Sequence, residues 1–233
     1  MPRPKRVDLP GLAHHLIVRG NDRQVIFHSD EDRSYFLERL GQARAHRQCD
    51  IHAFVLMDNH VHILATARVP CGISRMMQDV GRAYVKRVNW KYKRTGALYE
   101  GRFKSSLVET GSYFLTCMRY IELNPVRARM VDHPAQFAWS SFGQNITGEP
   151  SGLIAAHPEY LGLGRDTDSR AAAYRRLFEH EITAVELEAI RRSAQQSCAL
   201  GGDEFCRAVE AMLLRPVAFV PQGRPGRDRK SVV

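Results

Sequence analysis

Apolar and polar positions along the chain fall into segments with two periods. Ala13-His-His-Leu-Ile-Val-Arg19 is a short apolar run closed by the polar stretch Gly20-Asn-Asp-Arg-Gln24, the pattern of a strand followed by a loop. Ser29-Asp-Glu-Asp32 supplies capping oxygens for a helix start, and Phe36, Leu37, Leu40 and Ala43 follow at helical spacing to about Gln48. Ile51-His-Ala-Phe-Val-Leu56 is a second strand, Met57-Asp-Asn59 a tight turn and His60-Val-His-Ile-Leu-Ala65 a third strand antiparallel to it. From about Gly72 to Tyr92, Ile73, Met76, Met77, Val80, Tyr84 and Val88 form one helical stripe, with Arg75, Arg82, Lys86 and Lys93 off it. Lys104-Ser-Ser-Leu-Val108 is a fourth strand, and a third helix runs from Ser112 to Leu123, stopped by Pro125. The order β-α-β-β-α-β predicts an α+β fold, a ferredoxin-like antiparallel sheet sandwich with one helix added.

Beyond Trp139-Ser-Ser141 the composition changes, and Gly148-Glu-Pro-Ser-Gly152 reads as a linker. Helices are expected over Ser169–Glu179, over Val185–Gln196 behind a Thr183-Ala-Val-Glu186 capping box, and over Asp203–Leu214. The last two, joined by a turn holding Gly201 and Gly202, leave a helix-turn-helix open. The expected organisation is therefore a principal domain over 10–147, a small helical C-terminal region over 148–220 that is a candidate for DNA binding, and a basic tail over 221–233. The tail has too few apolar residues to pack and is expected to be disordered in isolation.

Charge narrows the partners. Lys and Arg total 34 against 25 Asp and Glu, giving a formal charge of +9. Such a balance favours polyanions, with nucleic acid ahead of an anionic membrane surface. The longest apolar runs fall far short of the roughly 18–20 residues of a membrane span. The basic Met1-Pro-Arg-Pro-Lys-Arg6 is followed by Val7-Asp-Leu-Pro-Gly rather than an apolar segment, so no secretion signal is read and the cytoplasm is the expected location. Five cysteines, without a C-x-x-C pair, suit reduced thiols rather than disulfides or a structural zinc site. No obligatory protein partner is evident.

Two places can carry chemistry. His60 and His62 alternate with Val61 and Ile63 on a predicted strand, so both imidazoles leave the same face and can share one divalent metal. An H-x-H pair alone is equally what two structural histidines look like. Tyr120 and Asn124, four apart on a predicted helix, stack on one face, where an amide oxygen could complete a metal site beside a phenol. The ordinary alternative is a half-buried aromatic and a helix-capping asparagine.

The runs Met57-Asp-Asn-His-Val-His-Ile-Leu64 and Arg119-Tyr-Ile-Glu-Leu-Asn-Pro-Val-Arg-Ala128 resemble the REP-associated tyrosine transposases, a branch of the bacterial single-tyrosine HUH transposases. Val18-Arg-Gly-Asn-Asp-Arg23, Tyr99-Glu-Gly-Arg-Phe-Lys-Ser105 and Trp139-Ser-Ser141 extend the resemblance across about Pro10–Phe142. It implies a nuclease domain that binds hairpin DNA and cuts single-stranded DNA beside it with Mg or Mn. By it His60 and His62 are metal ligands, Asn124 the third, and Tyr120 the nucleophile forming a 5′-phosphotyrosine. Many metal-binding relatives carry Gln or Glu where Asn124 stands. Tyr113 is the rival nucleophile, but Cys117, four residues on, is a poor ligand for a hard metal. Arg19, Arg23, Arg102, Lys104, Arg127 and Arg129 are candidate phosphate contacts, or plain surface charge. Arg224, in Gly223-Arg-Pro225, resembles the core of a minor-groove arm. The resemblance favours a monomer over a dimer, associated with the bacterial nucleoid. Two other readings stand beside it: a non-catalytic hairpin-binding regulator, and a phosphoesterase in which the histidines activate water.

Overall fold

The computed structural model describes residues 8–148 and 152–213. Strands β1 (Ala13–Arg19), β2 (Cys49–Met57), β3 (His60–Ala67) and β4 (Lys104–Val108) form one antiparallel sheet in the order β2-β3-β1-β4. That order follows from a tight β2–β3 hairpin combined with helical crossovers, which leave β1 between β3 and β4. The α+β architecture is the one the alternating pattern predicts.

Strand alternation separates two cores. Leu16 and Val18 of β1 and Val61, Ile63 and Ala65 of β3 face helices α1 (Asp30–His46) and α2 (Gly72–Lys91), where Phe36, Leu40, Met76, Val80 and Tyr84 fill the space. The opposite face, with Ala13, Val55 and Leu64, meets α3 (Ser112–Glu122) through Phe114, Met118 and Ile121. In β2 a bulge at His52 resets the alternation, so that Ile51 joins the first core and Ala53 the second. The bulged His52 reaches the Ala155 carbonyl (2.8 Å) and the Thr66 hydroxyl (3.0 Å).

Local signals account for the element ends. The Ser29 hydroxyl caps α1 through the Asp32 N–H, an interaction typically worth about 1 kcal/mol. Helix α3 stops at Glu122, one residue short of the predicted end, and Asn124 opens a separate turn, α4 (Asn124–Arg127), with Pro125 where no N–H is required. Asn124 is thus not on the Tyr120 helix as expected, although the break leaves the two residues adjacent. Past α5 (Phe142–Thr147) and α6 (Pro158–Leu161), α7 (Thr167–Arg176) starts two residues before the predicted Ser169, because Asp166 forms the capping box. Helix α8 (Ala184–Gln196) begins behind the Thr183–Glu186 box, and α9 (Asp203–Leu213) follows. The expected tail over 221–233 and part of the expected linker lie outside the described residues.

The helices after 148 do not stand apart from the sheet. Tyr160, Tyr174, Ile182, Ile190 and Leu200 share a core with α3 and the sheet. Leu200 also exchanges backbone hydrogen bonds with Leu107 and Glu109 at the β4 edge, while Ala155 N–H donates to Ile51 O at the β2 edge. The C-terminal segments therefore cover strand edges that would otherwise invite pairing with other chains.

Candidate active site

The antiparallel register sets Ile17 opposite His62 and Arg19 opposite His60, and sheet alternation sends His15, Ile17, His60 and His62 toward the α3 side. His15 and His62 are diagonal neighbours across the strand pair, with rings stacked at 5.0 Å and His15 Nε2 2.8 Å from His62 Nδ1. Tyr120 approaches from α3, its ring centroid 5.9 Å from both imidazoles and nearly perpendicular to each. The three rings make a built cluster rather than isolated side chains.

The nitrogen positions decide what the pair can hold. His60 Nδ1–H donates to Asn59 Oδ1 at 2.6 Å, leaving the His60 Nε2 lone pair free. When His62 Nδ1–H donates to His15 Nε2, the His62 Nε2 lone pair is free as well. Burial keeps both rings neutral, the form that ligates metals: His60 is pushed down to about 4 by burial and then by Arg19, and His62 falls well below the ordinary value through burial and its histidine neighbours. Burial and Arg127 push His15 down to about 3. No group of three His, Cys, Asp or Glu side chains among the described residues is arranged to hold a metal.

Asn124 is beside the cluster but engaged. Its Nδ2–H donates to the Tyr120 carbonyl at 3.0 Å, capping α3, and its Oδ1 accepts from Arg127 at 3.3 Å. Asn124 thus ties the end of α3 to Arg127, and its amide oxygen keeps a second lone pair. Arg127, expected to touch phosphate, lies with its guanidinium 4.0 Å over the Tyr120 ring and also donates to the Tyr120 carbonyl.

A cleft of about 270 Å³ opens over the cluster, and Arg19, His60, His62, Arg102, Lys104, Tyr120 and Asn124 all line it. Arg23 and Arg129 do not; both adopt positive φ, at 58° and 57°. Arg224 lies outside the described residues. Tyr113 lines a different cavity with Thr116 and Ile190, separated from the histidines. Sequence reasoning missed His15, Glu100, Arg191 and Gln195. The last two come from α8, which forms a wall of the cleft. The doubled His14-His15 in a predicted strand and the Tyr99–Ser105 run that holds Glu100 were the available signals; nothing local marks Arg191 or Gln195.

Fold and site together define an α+β protein with a helix-borne tyrosine set against a strand-borne histidine pair under basic side chains. Through residues 9–124 the chain belongs to the family described as IS200-like transposases. The structure is similar to that of a REP-associated tyrosine transposase bound to a REP hairpin, with a TM-score of 0.55 and 17% identity over 67% of this chain and 93% of that one. A Deinococcus radiodurans R1 crystal structure described as a transposase aligns at a TM-score of 0.37, with 20% identity over 52% of this chain and 96% of that one. No curated protein matches the chain significantly. Among the described residues, no helix is long and apolar enough to cross a membrane.

Proposed function

We propose that the protein is a metal-dependent single-stranded DNA endonuclease and transposase that binds hairpin DNA and cuts and rejoins the adjoining strand through a 5′-phosphotyrosine on Tyr120. The observation that carries this reading is the packing of the Tyr120 ring 5.9 Å from that of His62 in a cleft also lined by Arg19, Arg102 and Lys104.

His60 and His62 would hold Mg or Mn through their Nε2 atoms, with Asn124 Oδ1 a third donor through its second lone pair. The donors fit: two neutral imidazoles with free lone pairs and a hard amide oxygen. When bound, the ion supplies Lewis-acid polarisation of a non-bridging phosphate oxygen. Arg19, Arg102 and Lys104 position the strand through its phosphates. Arg127 fixes the Tyr120 ring and adds positive charge where the attacked phosphate gathers negative charge. The phenol oxygen attacks phosphorus, forming the P–O(Tyr) bond while the P–O3′ bond breaks. The phenolic proton passes to solvent, and the leaving O3′ takes one up. One phosphodiester-type bond replaces another, so a second 3′-OH can reverse the step without ATP. In a bacterial cell the enzyme would act in the cytoplasm on the nucleoid, as a monomer.

The test incubates the purified protein with Mn and labelled hairpin oligonucleotides from the repeats flanking its gene, and resolves the products on a denaturing gel. A downstream fragment linked to the protein through its 5′ phosphate, beside a free 5′ fragment ending in 3′-OH, is the expected result, and the linked species disappears in Tyr120→Phe and in His60→Ala. Tight binding without adduct would replace this reading with a hairpin-binding regulator, and cut DNA without adduct with a hydrolase.

A further inference from the structure

Helix α8 brings to the catalytic cleft a charge that lies beyond residues 9–124, the span of the family match. The Thr183–Glu186 capping box fixes its start, and Ile190, Ser193 and Ala194 are buried where it packs on α3, β1 and β4. Arg191 and Gln195, one turn apart, line the cleft together with His60, His62 and Tyr120. Arg191 is exposed and makes no ion pair or hydrogen bond among the described residues, whereas the next residue, Arg192, pairs with Glu188. It also meets a like charge. Burial lowers the Arg127 pKa, the Tyr120 phenol offsets part of that, and the charge of Arg191 adds to the lowering. The Arg127 guanidinium is itself 4.0 Å over the Tyr120 ring and forms no ion pair with a carboxylate among the described residues. Glu100, the only carboxylate among the described residues lining the cleft, belongs to the sheet side, where its N–H donates to the Arg19 carbonyl at 3.1 Å. Two guanidiniums gathered near one phenol, neither neutralised, repel each other until an anion joins them.

We propose that Arg191 is a catalytic residue of the strand-transfer step, donating from its guanidinium to a non-bridging oxygen of the phosphate that Tyr120 attacks. Negative charge gathers on those oxygens as the P–O(Tyr) bond forms and the P–O3′ bond breaks, and a donor held on a packed helix stabilises it without reorganising. Arginine stays protonated throughout, so it moves no proton, and its planar fork matches two phosphate oxygens at once. Arg19, Arg102 and Lys104 grip the flanking phosphates from the sheet, while α8 supplies the charge at the reacting one. The assignment rests on the proposed role of Tyr120 as nucleophile.

The test follows single-turnover adduct formation by the full chain with Mn and a saturating hairpin oligonucleotide, and then rejoining after an oligonucleotide ending in 3′-OH is added. In Arg191→Ala both rates are expected to fall about 100-fold, the effect of one lost oxyanion donor. The final adduct yield, the oligonucleotide affinity and the melting temperature hold, because substrate and adduct are phosphodiesters of equal charge and the lost interaction belongs to the transition state between them. Arg191→Lys recovers part of the rate, keeping the charge but not the fork. Arg192→Ala, which removes the same charge one position along, stays at the wild-type rate. An Arg191→Ala protein that reacts at the wild-type rate, or that loses only affinity, overturns the role of Arg191 and leaves the Tyr120 reading intact. So does an equal loss in Arg192→Ala, or a lowered melting temperature with no recovery in Arg191→Lys. Absence of any adduct in the wild-type protein overturns both.

Discussion

His15 touches His62 rather than the cleft's contents directly, and that contact sets which His62 nitrogen is free. Partners that orient ligating histidines typically contribute 10–100-fold to metal affinity. His15→Ala is therefore expected to weaken Mn binding by about that factor in calorimetry, with partial recovery in His15→Gln, whose amide oxygen can accept the His62 N–H. A purely structural role would lower the melting temperature of both variants without separating their Mn affinities. Tyr113→Phe is expected to leave adduct formation unchanged, because Tyr113 lines a separate cavity; loss of the adduct would transfer the nucleophile to Tyr113. The His60–His62 pair was legible because its spacing is local, and Tyr120 was singled out by its spacing to Asn124 and by the family resemblance. His15 was not, since its contact spans 47 positions and exists only once β1 and β3 pair in register.

At the level of elements, Glu122 binds α3 to the helices that follow it. Its buried carboxylate accepts from Ser141 Oγ (2.5 Å), Asn145 Nδ2 (2.7 Å) and Tyr174 OH (2.7 Å), joining α3 to α5 and α7. Glu122→Ala strands three buried donors, and the expected loss in urea unfolding is about 3–5 kcal/mol. Stability should also depend on pH. Burial lowers His15 to about 3, His52 and His60 to about 4, and His62 well below its usual range, so the unfolded chain binds more protons on these groups below about 6.5. Stability on their account rises with pH and is lost on acidification through that window. Burial raises Glu122 to about 7, a shift of opposite sign that costs stability as pH climbs from about 4.5 to 7. Four histidines outweigh one glutamate, so the melting temperature should climb between pH 4.5 and 6.5, and a flat or falling profile would contradict the buried neutral histidines. In Glu122→Gln the opposing contribution is gone, and the climb should steepen. The glutamate lies inside the Arg119–Ala128 run that carries the family resemblance, yet its partners are 19, 23 and 52 residues downstream, so its structural role was invisible in the sequence.

Over the whole molecule, the segments after 148 complete the fold around the site. Tyr160, Tyr174, Ile190 and Leu200 are buried in the core shared with α3, and Arg191 and Gln195 wall the cleft. Each buried apolar side chain contributes about 1.5–3 kcal/mol, and their joint loss rivals a domain's net stability of about 5–15 kcal/mol. A fragment limited to 8–148 is expected to lose fixed near-ultraviolet circular dichroism; a cooperative melt of that fragment would show that the sheet with α1 to α5 suffices. By itself the sequence determined what depends on near neighbours: strand alternation, the α2 stripe, the capped helix starts, the tight hairpin, and the same-face placement of His60 with His62. Tertiary structure decided what depends on distant segments meeting: the sheet order, the His15–His62–Tyr120 cluster, the Glu122 network, and the closing of the cleft by α8. The physical reason is that backbone geometry carries local periodicity in its dihedral angles, whereas burial and pairing across the chain are settled by the packing of all elements together.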